Sequence, residues 1–99
     1  MVVGVIIADL LLGDVHSLKQ KRGVVRPIVA ELRRRFEVSA AETGRHDLHR
    51  RAEVAVALVG GDHAHVTEVL AACERMLAGR PEIELLSART RVLDDDDLD

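Results

Sequence analysis

VVGVIIADLLL, Val2 to Leu12, is apolar at every position except Gly4 and Asp9, and SLKQKRGVVRPIVAELRRR, Ser17 to Arg35, follows it after a short turn. The first run has apolar side chains on both of its alternating faces, so it reads as a strand covered on both sides and central in its sheet. In the second, Leu18, Val25, Ile28, Val29, Leu32 and Phe36 recur at helical spacing. Lys19, Lys21, Arg22, Arg26, Arg33 and Arg34 fall largely off that stripe. Ser17 suits the N-cap, because its hydroxyl accepts from an otherwise unpaired backbone N–H. Downstream come two β-like runs, Phe36 to Thr43 and Ala52 to Val59, then a helical stretch, Ala64 to Ala78, and a last strand, Glu82 to Leu93. The order β-α-β-β-α-β predicts a ferredoxin-like α+β domain, a four-stranded antiparallel sheet with two helices on one face. Many unrelated activities share that architecture, so function has to be argued from a site.

Local chemistry sharpens the expectation. Gly13-Asp14 and Gly60-Gly61-Asp62 are turns, and Gly79 and Pro81 stop the second helix. Val66, Val69, Leu70, Cys73 and Leu77 give that helix its buried stripe. Within the first helix, Gly23 costs about 1 kcal/mol against Ala, and Pro27 removes a hydrogen bond and crowds the preceding turn. A single helix kinked between Gly23 and Pro27 is expected; the alternative is a basic turn with the helix starting at Pro27. The sheet face away from the helices presents Val3, Val5, Ile7, Ala55, Ala57 and Val59, with Asp9, Glu53, Arg89 and Arg91 around them. Soluble monomers seldom leave such an apolar patch bare. A homodimer or higher oligomer using this face or an edge strand is therefore expected.

Ninety-nine residues make one domain, expected over 1–93, with the acidic run 94–99 as a disordered tail. Phe36 is the only aromatic residue, so the core is built from small aliphatic side chains. One cysteine, Cys73, excludes an internal disulfide. The first apolar run, at eleven residues, falls short of the ~20 needed to span a bilayer and lacks the flanks of a signal peptide. A soluble, cytoplasmic protein with no membrane partner is expected. The net charge of −3 conceals an asymmetry. Between His16 and Arg51 there are ten Lys/Arg residues against four acids, whereas the chain closes on Asp94-Asp95-Asp96-Asp97-Leu98-Asp99.

Several segments resemble the YlxP-like family of small bacterial proteins. They are Val3-Gly4-Val5, Ser17-Leu18-Lys19-Gln20-Lys21-Arg22, Arg33-Arg34-Arg35-Phe36-Glu37-Val38-Ser39, Ala41-Glu42, Asp47-Leu48-His49-Arg50-Arg51-Ala52 and Ala64-His65-Val66. The Ser-Leu-Lys-x-Lys-Arg block is the most specific of these. The resemblance covers Val2 to about Val92 and implies a ferredoxin-like fold. It also implies a gene set beside translation factors, and hence a role near RNA or the ribosome. It supplies no reaction, cofactor or catalytic residue.

Candidate chemistry is concentrated in the basic residues. Lys19, Lys21, Arg22, Arg26, Arg33 and Arg34 on the first helix, with Arg45, Arg50 and Arg51 in the loop between the middle strands, are the candidate nucleic-acid-binding set. Clustered Lys/Arg neutralise phosphates and release counterions. The competing reading is a solvated helix face, with arginines at a helix C-terminus favoured by its dipole. With no aromatic platform to stack bases, the expected ligand is structured RNA read by backbone and shape. His46 and His49, and His63 and His65, are too few to close a metal site, and no metal or other cofactor is expected. Ser17 beside His16 reads as a cap, and no Walker or dinucleotide pattern is present. No enzyme activity is expected. Asp9 and Glu53 are expected to pair with Arg89 or Arg91, within the sheet or across a dimer. The functional expectation is an accessory protein contacting RNA or the ribosome; its alternative is a dimeric protein-interaction or regulatory module.

Overall fold

The computed structural model describes residues 1–98. Its elements are β1 (Val2–Leu12), α1 (Leu18–Phe36), β2 (Ser39–Gly44), β3 (Arg51–Gly60), α2 (His63–Ala78) and β4 (Ile83–Asp94), followed by a 3-10 turn (Asp95–Leu98). The strands form one antiparallel sheet in the order β2-β3-β1-β4, with β1 central. Both helices lie on one side, giving the ferredoxin-like α+β fold.

Register explains which residues meet the helices. Val2, Ile6, Ala8, Leu10 and Leu12 of β1 and Ala52, Val54 and Val56 of β3 are buried beneath α1 and α2. They pack with Val25, Ile28 and Leu32 of α1 and with Val66, Leu70, Cys73 and Leu77 of α2. Burial pushes the Cys73 thiol pKa up, as desolvation disfavours the thiolate. Gly4 lets α2 sit directly on the sheet: a Cβ there would fall 2.5 Å from Val66 Cγ1 and 2.7 Å from Leu70 Cδ1.

α1 begins at Leu18, not at Pro27, and is helical throughout. Ser17 Oγ accepts from the Gln20 N–H at 3.1 Å, and Gln20 Oε1 accepts from the His16 N–H at 2.7 Å. Two end donors are thereby satisfied in the manner of a capping box. Pro27 lacks the N–H that would serve the Gly23 carbonyl one turn earlier, and both residues stand on the exposed side of the helix. The helix extends through Phe36 and ends at Glu37, which adopts the left-handed conformation (φ 54°) and donates its N–H to the Arg33 carbonyl. β2 consequently starts at Ser39 instead of Phe36. Phe36 is half-buried at the rim of the core, with the Arg35 guanidinium 5.1 Å from its ring centre.

β4 carries a register shift opposite Asp9 and Leu10, which leaves Leu86 without a partner. The acidic run, expected as a tail, contributes Asp94 to β4 and Asp95–Leu98 to the 3-10 turn. Asp94 Oδ1 accepts from the backbone of Asp96 and Asp97, and all of these side chains face solvent. Asp99 lies outside the described residues. No helix among the described residues is long and apolar enough to cross a membrane.

Candidate nucleic-acid interface

α1 is amphipathic in an uneven way. Its buried side is aliphatic, its first turn contains no acid, and its last turn holds Arg33, Arg34 and Arg35. Lys19, Arg22, Arg26 and Arg34 are exposed, and none has an ion-pair or hydrogen-bond partner among the described residues. At 1.5 Å per residue, Arg22 and Arg34 stand about 18 Å apart along the helix axis. Arg22, Arg26 and Arg33 fall at helical spacing on the flank that faces β2. Between α1 and β2 lies a groove of about 540 Å³, lined by Val25, Val29, Ala30 and Ala41 together with Arg26, Arg33, His46 and the Glu42 that pairs with Lys21. Arg33 Nε donates to the Ala40 carbonyl at 2.9 Å, so this guanidinium both stands at the groove and ties α1 to β2.

Lys21 departs from the expectation. Only 2% exposed, it points inward, with Nζ 2.9 Å from Glu42 Oε2 and donating to the Arg45 carbonyl at 2.7 Å. The contact to Glu42 is an ion pair more than a well-angled hydrogen bond. Lys21 therefore belongs to the fold and leaves the exposed basic set. The signal was available: position 21 precedes Val25 by four and Ile28 by seven, which places it on the buried stripe.

The loop after β2 is also held more tightly than its composition suggests. Arg45 adopts φ 60°, and its Nε lies 3.2 Å from Asp9 Oδ1. Arg51 donates to the other oxygen of the same carboxylate. Arg50 Nε donates to the carbonyls of Leu12 (3.2 Å) and Gly13 (2.9 Å), fastening the loop to the end of β1. Through the Lys21 clasp the loop meets the first half of α1, while Arg33 and Arg34 lie toward the other end. The structure thus brings Lys19, Arg22 and Arg26 near the loop and extends the row to Arg34. It assigns Arg45 and Arg51 to neutralising Asp9.

Asp9 and Glu53 face each other across β1 and β3. Within the protomer Arg89 and Arg91 are not their partners: Asp9 is held by Arg51 and Arg45, and Glu53 Oε2 accepts from Thr43 Oγ1 at 2.7 Å. The register sets Ser87 beside Asp9 and moves Arg89 and Arg91 level with Ile7 and Val5. A further ionic tie was not anticipated. Arg80 bridges Glu31 of α1 (3.1 Å) and Glu82 (2.9 Å), pinning the helix layer to the turn before β4. His46 and His49 lie at one end of the sheet, and His63 and His65 at the other. Ser17 serves as the cap described above.

Comparison with known proteins gives two findings. A family model described as "Protein of unknown function (DUF503)" matches residues 3–90. The chain is similar to the "Uncharacterized protein YlxP" of Bacillus subtilis (strain 168), with 28% identity over 88 residues, covering 89% of this chain and 96% of that protein.

Proposed function

The chain belongs to the DUF503 family, whose members have no assigned function, and from that premise we propose that it is a non-enzymatic cytoplasmic accessory protein that binds structured RNA along α1. The observation that carries the reading is the row of exposed cations, Lys19, Arg22, Arg26 and Arg34, which no carboxylate among the described residues neutralises. By contrast, Arg80 is matched with two glutamates, and Arg51 and Arg45 with Asp9. Unmatched cations in a row attract a polyanion, and each phosphate contacted releases counterions. Phe36 lies under Arg35 and offers no platform for an unstacked base, so recognition rests on backbone and shape.

Fluorescence anisotropy with a stem-loop RNA tests this. Four phosphate contacts give a slope of roughly −3 to −4 in log affinity against log salt, or about a hundredfold weakening between 50 and 200 mM. K19E/R22E/R26E should abolish binding and co-sedimentation with ribosomal particles at low salt. Wild-type affinity that is flat across that salt range, or unchanged in the triple variant, overturns the proposal.

A further inference from the structure

The sheet face opposite the helices carries a second surface, independent of the RNA reading. At its centre Val3, Val5 and Ile7 of β1 are only half-covered, Ala55 and Ala57 of β3 beside them likewise, and Val59 is 70% exposed. The strand β1 is apolar on this side as well as on the helix side, the pattern of a strand covered on both faces. The charges around this centre are of both signs and lie apart. Arg89 and Arg91 of β4 share the face with Ile7 and Val5, are exposed, and have no partner among the described residues. Glu53 lies two strands away on β3, level with Asp9, and among the described residues its carboxylate is held only by the Thr43 hydroxyl.

We propose that this face binds a second copy of the same chain, with Arg89 and Arg91 of each protomer seated over Glu53 of the other. An acidic peptide would meet Asp9 and Glu53, and RNA would meet aliphatic side chains and carboxylates. A second copy offers apolar surface to the centre and the opposite charge to both flanks. Register fixes how the two copies cross. From the midpoint of Arg89 and Arg91 to Glu53 is two strand spacings across, about 10 Å, and three residues along, also about 10 Å. A two-fold axis that exchanges points equally displaced in both directions lies at 45° to the strands. The two sheets therefore cross at near 90°, one of the two preferred packings of sheet on sheet. The small side chains of Ala55 and Ala57 allow the close approach this needs.

Charge reversal in complementary variants tests the pairing. Light scattering should give the mass of two chains for the wild type and of one chain for R89E/R91E, which removes no ion pair or hydrogen bond found among the described residues of the protomer. E53K should likewise be monomeric, and mixing the two variants should restore a dimer, because both contacts then join opposite charges. Circular dichroism verifies folding; should E53K fail to fold, A57R at the apolar centre replaces it as the second monomeric variant. A wild type that scatters as one chain overturns the proposal, as does R89E/R91E that remains dimeric.

Discussion

At position 21 the buried stripe of α1 brings in a lysine where an aliphatic residue would ordinarily stand, and the fold answers it with Glu42 and the Arg45 carbonyl. Removing one partner of a buried pair leaves the other charge uncompensated, at a cost of about 3–5 kcal/mol. Lys21→Ala should therefore lower stability by that order in urea titrations, while the molecules that remain folded keep their RNA affinity. Arg22→Ala, one residue on, should do the opposite: stability within ~0.5 kcal/mol of wild type and weaker RNA binding. The pair of measurements separates a structural cation from an interfacial one at adjacent positions. Composition could not make that separation, since Lys19, Lys21 and Arg22 read alike as basic. Helical phase could, because residue 21 shares its face with Val25 and Ile28.

Among the elements, β1 was the most legible, because its double-sided apolar pattern and the Gly13-Asp14 turn left little choice. The end of α1 was less so. Phe36 fits either the last position of the helical stripe or the first of a strand, and a left-handed residue at Glu37 decides for the helix. The partners of Asp9 were illegible for a different reason. They depend on the register shift in β4 and on the left-handed turn at Arg45, neither of which leaves a periodic trace. Gly23 and Pro27 looked like breakers, yet both stand on the exposed side of α1, where their costs are tolerated without disturbing the core. A Cβ at Gly23 meets nothing within 4 Å. Gly23→Ala should thus stabilise the protein by about 1 kcal/mol, visible as a raised midpoint of thermal unfolding, with RNA binding unaltered.

On the scale of the whole molecule, the two layers divide the work: the helix layer carries the unmatched cations of α1, and the bare side of the sheet carries the apolar centre. If copies associate through the sheet, dissociation is coupled to unfolding, and the thermal midpoint rises with protein concentration. Calorimetry over about a hundredfold range of concentration should show that rise for the wild type and a constant midpoint for R89E/R91E. The irregularity at Leu86 has another consequence. β4 is an outer strand of twelve residues, long enough to template further chains, but its ladder is broken there and its solvent side bears two guanidinium groups. Such an edge offers no straight register for runaway cross-β growth.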